Sequence, residues 1–221
     1  SILRQATTAG AAENNGSLDP VLATEGNLNN DIGVPQMLLR LRQHHRYAVI
    51  EMGMNHVGEI SYLTQLAKPS IALITNAGAA HIEGLGSIEA VARAKAEFFE
   101  GLDQQGTAII NADDCYAPLW RKCAGSRPII DFGLREKARV SADYSTDPLM
   151  STIQLKLPGG METIQLQTPG VHNVYNALAA AAATTALGIP KESIASGLEC
   201  FRGVKGRMQK KLGLHHALLI D

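Results

Sequence analysis

The chain has 221 residues, 45% of them hydrophobic and 19% charged, with a net charge of -1. That composition is ordinary for a soluble globular protein, long enough to bury one large core or two smaller ones. The near-neutral balance offers nothing to draw nucleic acid or an anionic membrane as main partner. No apolar run approaches the roughly 20 residues of a membrane span, and no secretory signal heads the chain. Cys115, Cys123 and Cys200 are odd in number and lack metal-ligand spacing. They read as reduced thiols of a cytoplasmic protein.

The opening "SILRQ" reads as the tail of a helix. Residues 6–20 are small, polar and glycine-bearing, which predicts a loop. "PQMLLRLR" (35–42) predicts a helix, with Pro35 allowed in its first turn. "YAVIEMG" (47–53) predicts a strand, "GEISYLTQLAK" (58–68) a helix and "SIALITNAG" (70–78) a second strand. "SIEAVARAKAEFF" (87–99) is an amphipathic helix. At about 100° per residue, Ile88, Val91, Ala92, Phe98 and Phe99 share one face, while Glu89, Arg93, Glu97 and Glu100 share the other. Lys95 falls within the apolar face. Strands follow at "GTAIINADD" (106–114) and "RPIIDFG" (127–133).

This alternation predicts an α/β fold with a mostly parallel sheet flanked by helices. Residues 138–169 then alternate with period 2 between turn residues, predicting a small appended antiparallel sheet. Helices are expected at 173–188 and 191–201, and a strand begins within "HHALLID" (215–221).

Ligands of parallel α/β sheets gather at the carboxyl ends of the strands. Glu51 ends one strand there, Asn76 ends the next with His81 five residues on, and Asn111, Asp113 and Asp114 end the third. Glu51 sits in an apolar run, so it is either a strand-end carboxylate in water or a metal or catalytic group. His81 is either a loop histidine or a functional one. Lys95 either snorkels its amine to water or points at a site of carboxylates and metal. "EGNLNNDIGVP" (25–35) is a capping loop or an amide-rich loop for a polar ligand. In "GVHNVYNALAA" (170–180), Asn173 and Asn176 are three apart on one helical face. Asn173 could be only an N-cap, whereas asparagine is a poor mid-helix residue and Asn176 asks for a reason. "FRGVKGRMQ" (201–209) is a basic, glycine-punctuated loop suited to phosphate contact or to service as a linker.

Taken in order, "GNLNNDIGVP", "VIEMGMNHVGEI", "TNAGAAHIEGLGSIEAVARAKAEFF", "INADD", "GVHNVYNALAA" and "GRMQ" resemble the Mur ligases. The asparagine-rich loop is most similar to the branch that adds D-alanyl-D-alanine to UDP-N-acetylmuramoyl-tripeptide. The resemblance covers nearly the whole chain from about residue 24. It implies an ATP-dependent amide ligase of peptidoglycan precursor synthesis. The substrate carboxylate becomes an acyl phosphate, which the incoming amine then displaces. By the same resemblance, Glu51 and His81 are magnesium ligands. Lys95 is a lysine carbamylated by CO2 that helps hold a second magnesium. Asn176, with Asn173 beside it, contacts the nucleotide, and Arg207 reaches its phosphates. Asn27, Asn29, Asn30, Asn55 and His56 line the muramyl substrate. Phosphoryl transfer relies on positioning and on cations that neutralise charge, and magnesium prefers oxygen ligands, which a glutamate and a carbamate supply.

One departure matters. No G-x-x-x-x-G-K-[ST] run occurs in the chain. The expected organisation is a Mur ligase central domain over residues 1–203, its first strand and phosphate loop missing, with the start of a C-terminal domain at 204–221. Such a fragment would be inactive alone and would leave a strand edge open to self-association. The alternatives are a tripeptide-forming Mur ligase, a folylpolyglutamate synthase, or a non-catalytic binding module that lost the nucleotide loop.

Overall fold

A computed structural model describes residues 2–8, 19–78, 82–203, 210–212 and 218–220. Strand and helix alternate through the first two thirds of these residues: β1 (Val21–Ala23), α2 (Gly33–Leu38), β2 (Tyr47–Val49), α3 (Glu59–Ala67), β3 (Ile71–Ile74), α4 (Ile82–Leu85), α5 (Ile88–Ala96), β4 (Thr107–Asn111), α6 (Ala117–Ala124) and β5 (Ile129–Phe132). They follow α1 (Ile2–Thr8), and a single 3-10 turn (Glu97–Phe99) extends α5. β3, β4 and β5 form a parallel sheet in that order, and β1 pairs in parallel with β2. The expected antiparallel sheet is β6 (Ser141–Thr146), β7 (Ser151–Leu157) and β8 (Gly160–Leu166). Then come α7 (Val171–Ala186), α8 (Lys191–Glu199) and the antiparallel pair β9 (Lys210–Leu212) and β10 (Leu218–Ile220).

The two-residue period of the parallel strands divides the core. Ala72 and Ile74 of β3 and Ala108 and Ile110 of β4 face α5 and α6, packing with Ala92, Ala96, Phe99 and Trp120. Ile109, Ile130 and Phe132 face the opposite way, onto Val174, Leu178 and Ala181 of α7 and the inner face of β6–β8. α7 therefore lies across the parallel sheet, with its first turn at the strands' carboxyl ends.

Several boundaries differ from the sequence pattern for local reasons. α1 runs to Thr8, so residues 6–8 are helical rather than loop. Its buried Ile2 packs where Gly197 of α8 has no side chain, a Cβ at 197 falling 2.3 Å from the Ile2 Cα. α2 is Gly33–Leu38 rather than 35–42. It starts early because Asn30 accepts the Gly33 N–H on its side chain (2.8 Å) and the Val34 N–H on its carbonyl (2.9 Å). It stops early because the Arg42 guanidinium takes the carbonyls of Leu39 and Leu41. The sequence pattern does not single out the three-residue β1, nor α6, nor β9.

α5 departs most. It is buried on two sides, Ala92 and Ala96 against α6 and the sheet, Val91 and Ala94 against Met54 and Ile60. Ile88, expected on the apolar face, is 40% exposed. Glu97, expected on the polar face, is buried. Its carboxylate accepts the N–H groups of Gly58 (2.8 Å) and Ser61 (3.1 Å), capping the first turn of α3 where the N-cap Gly58 has no side chain to do so. Gly101 sits against the other end of α3, where a Cβ would come within 2.4 Å of the Thr64 carbonyl oxygen.

Chemical denaturation checks this packing. Glu97→Ala leaves two helix N–H groups without their acceptor and should cost about 2 kcal/mol. Gly101→Ala pushes on backbone that cannot swing aside and should cost about 1–3 kcal/mol.

Candidate functional site

The segment leaving β3 is gripped at three successive residues. The Asn111 side chain donates to the Thr75 carbonyl (2.9 Å), the Lys95 ammonium donates to the Asn76 carbonyl (2.6 Å), and the Ala77 N–H donates to Asp114 (2.8 Å). Lys95 is half-buried between the two clusters that wrap α5, and its amine meets this backbone oxygen rather than only water. Burial pushes the Lys95 ammonium below its usual range, and the nearby Asp114 carboxylate opposes that only in part.

Asp113, two residues beyond β4, is the most heavily bonded carboxylate here. Its side chain is 2% exposed. It accepts the N–H groups of Leu134 (2.6 Å), Arg135 (3.0 Å) and Glu136 (2.7 Å) and the hydroxyl of Tyr175 (2.7 Å). The turn comes this close because Gly133 lacks a side chain, a Cβ there lying 2.8 Å from a carboxylate oxygen. Burial pushes the Asp113 carboxyl up, but the Glu136 N–H, the Tyr175 hydroxyl and the other two N–H groups outweigh it and hold the group below its usual range. Burial and the Asp113 hydrogen bond push the Tyr175 phenol up, so at neutral pH it remains a donor.

These groups surround a cleft of about 320 Å³ at the carboxyl ends of β3, β4 and β5. Thr75, Asn76, Asn111, Asp113 and Asp114 form its base, Phe132 and Arg135 one wall, and His172, Tyr175 and Asn176 of α7 the other. Asn176 is exposed into it, and among the described residues its amide has no hydrogen-bond partner. A second groove of about 440 Å³ between α5 and α6, lined by Arg93, Phe99, Leu119, Cys123 and Arg127, is larger. It lies against helices rather than strand ends and contains none of the candidate site residues, so the smaller cleft is the better candidate.

Of the other candidates, Glu51 is exposed, two residues beyond β2, and its carboxylate accepts the Asn29 amide (2.9 Å). The strand is shorter than the expected 47–53, stopping at Val49, and the carboxylate is exposed, as in the first of the two readings the sequence leaves open. Asn29 also takes the Gly53 N–H on its carbonyl, which ties the asparagine-rich loop to the 51–53 segment. Asn27 and Asn30 are exposed in that loop, and Asn30 is engaged in starting α2. Asn55 and His56 are exposed, their N–H groups and the His56 ring meeting Glu59. Asn173 is not the N-cap of α7. That position is Gly170, and the Asn173 amide donates to the Pro169 carbonyl from inside the first turn. His81 and Arg207 lie outside the described residues.

The sequence pattern passes over Tyr175, His172 and Arg135. The first two carry a usable signal, since 172, 175 and 176 are spaced i, i+3, i+4 and share a helical face. Arg135 carries none, because it reaches the cleft through a turn organised by Asp113.

The groups left facing the cleft suit a nucleotide: the Asn176 amide, the Thr75 hydroxyl and the Arg135 cation, with the Tyr175 hydroxyl and the Asn111 amide engaged in holding the walls. For a metal, one of the expected ligands, His81, lies outside the described residues. Among the described residues no group of three or more His, Cys, Asp and Glu side chains is arranged to hold one. Asp113→Asn should cost about 3 kcal/mol at neutral pH, since it replaces a charged acceptor of four donors. Its folded-state pKa is lowered, so its contribution is complete above the unfolded value of about 3.9 and is lost as pH falls through the folded one. Denaturation of parent and variant should therefore converge in acid.

The family described as Mur ligase middle domain matches residues 2–184. The UDP-N-acetylmuramoyl-tripeptide–D-alanyl-D-alanine ligase of Escherichia coli K12 is 42% identical over 205 residues, covering 90% of this chain and 45% of its own length. The Bacillus subtilis enzyme of the same name is 37% identical, covering 79% of this chain and 37% of its own. The crystal structure of MurF from Acinetobacter baumannii superposes with a TM-score of 0.89 at 40% identity, covering all of this chain and 46% of that one. MurF from Thermotoga maritima in complex with ADP, at 22% identity, shares the fold with a TM-score of 0.76 over 95% of this chain and 47% of its own. The chain spans about half the length of these relatives. It belongs to the Mur ligase family and carries that family's middle domain.

Proposed function

We propose that the chain is the nucleotide-binding middle domain of a cytoplasmic, ATP-dependent ligase that joins D-alanyl-D-alanine to UDP-N-acetylmuramoyl-tripeptide. The observation that carries this reading is the strand-end cleft, with the Asn176 amide, unpartnered among the described residues, on one side and the 75–77 segment held by Asn111, Lys95 and Asp114 beneath. The relatives at 42% and 37% identity carry the name of that activity, and one structure of the same fold contains ADP. Residues 1–203 constitute the middle domain and 204–221 begin the next.

Within this reading the tripeptide carboxylate oxygen attacks the γ-phosphorus of ATP and ADP leaves. The amine of D-alanyl-D-alanine then displaces phosphate from the acyl carbon and loses a proton, so one amide forms for each ATP cleaved. Asn176 and Asn173, at the start of α7, address the nucleotide, and Arg207 its phosphates. Asn27, Asn29, Asn30, Asn55 and His56 belong to the muramyl-peptide side, where the Asn29–Glu51 hydrogen bond ties their loops together. Magnesium would supply charge neutralisation between carboxylate and phosphate, with Glu51, His81 and a carbamate on Lys95 as its ligands.

The chemistry of Lys95 suits that modification. Only a neutral amine takes up CO2, and burial lowers the pH at which this amine is neutral. Intact-protein and peptide mass measured in bicarbonate should show an addition of about 44 Da, the mass of CO2, confined to Lys95. The same mass on a Lys95→Arg variant would remove the assignment.

The 221 residues contain no G-x-x-x-x-G-K-[ST] run, so this polypeptide alone should release no phosphate from ATP. Exchanged for the matching segment of the Escherichia coli relative, it should support phosphate release that requires both the tripeptide nucleotide and D-alanyl-D-alanine. Lys95→Ala should lower kcat in that chimera by at least about 100-fold, an electrostatic-stabilisation effect. A folded chimera without turnover contradicts the proposed function.

A further inference from the structure

α7 crosses the parallel sheet on a face built largely from alanine. Ala177, Ala181 and Ala182 are buried there with Val174 and Leu178. Such a face binds well but directs poorly, because apolar burial is non-directional and small side chains leave shallow ridges. The start of the helix is held at its N-cap, where the Gly170 N–H donates to the Thr146 hydroxyl of β6, while the Asn173 amide turns back to Pro169. The hydrogen bond from the Tyr175 hydroxyl to Asp113 joins the first two turns of α7 to the strand ends. Its acceptor does not move freely, being buried and held by three backbone N–H groups of the 134–136 turn. Asn176 follows Tyr175 directly on the helix and opens into the cleft.

We propose that the Tyr175 hydroxyl is a positioning group that fixes Asn176 opposite the 134–136 turn, and so sets affinity for the nucleotide without taking part in phosphoryl transfer. This rests on the nucleotide-site reading above. Burial and Asp113 keep the phenol protonated, and the hydrogen bonds that Asp113 accepts keep it ionised, so the bond persists across neutral pH. Without it, the start of α7 can slide or roll on its alanine face, and the Asn176 amide loses its fixed distance from the opposite wall. A nucleotide then orders the helix itself on binding and pays in affinity.

Tyr175→Phe removes the hydroxyl and keeps the ring. In the chimeric ligase, the KM for ATP should rise about 5–10-fold, equivalent to losing about one neutral hydrogen bond. The kcat should stay within about twofold, and the KM for D-alanyl-D-alanine should not move. Equilibrium binding of ADP should weaken by the same factor. Unchanged ADP affinity, or a parallel rise in both KM values with a lowered melting temperature, overturns the positioning role. A parent chimera that binds ADP yet turns nothing over removes the ligase reading instead, and the Tyr175 comparison is then decided by ADP binding alone. A parent that binds no ADP overturns both.

Discussion

The buried carboxylate of Asp113 is the constraint on which the rest of the site depends. A carboxylate almost out of water must be matched by donors, and here they come from two separate parts of the chain. The carboxylate extends β4, accepts from a turn that follows β5, and accepts from α7, so one charge ties three elements into a frame around the strand ends. Removing any one donor leaves the others in place, whereas removing the acceptor strands all four. The low exposure of Asp113 and the missing side chain at Gly133 are parts of the same solution, since the turn closes over the carboxylate only where no Cβ intervenes.

A second grip acts on the segment after β3. Asn111, Lys95 and Asp114 hold Thr75, Asn76 and Ala77 by backbone groups alone. The shape of that segment therefore follows from what surrounds it rather than from its own side chains. Lys95 joins this frame to the helix behind it. As an ammonium it is a structural donor to a carbonyl, and its burial favours the neutral amine that CO2 requires. The sequence anomaly of a lysine on an apolar face thus has two physical consequences, one present in the fold and one proposed for the reaction.

The alternation of strands and helices was readable because apolar periodicity is strong in β3, β4, β5 and α7, where burial leaves little choice of residue. The small antiparallel sheet was readable for the same reason, as every second residue of β7 is buried. Glu97 was misread because helical periodicity assumes one buried face, and α5 is buried on two. The end of β2 was placed too late because the apolar residues after Val49 suggested a longer strand than its pairing with β1 supports. Asn111, Asp113 and Asp114 stood out as a polar cluster at a strand end. Their division of labour did not, because it depends on the turn at 134–136 and on α7, far away in sequence. The spacing of 172, 175 and 176 marks a shared helical face, but what Tyr175 does on it is hidden in the same way: a tyrosine in an alanine-rich helix reads as packing until its hydroxyl is seen to meet a buried charge.

The central claim is that the frame built by Asp113 encloses a nucleotide site. Amide chemical-shift mapping of the chain with ADP tests it most directly. The account predicts shifts concentrated at 75–77, 111–114, 134–136 and 172–176, with little change along the α5–α6 groove. Shifts confined to that groove, or none at the strand ends at saturating ADP, would contradict it.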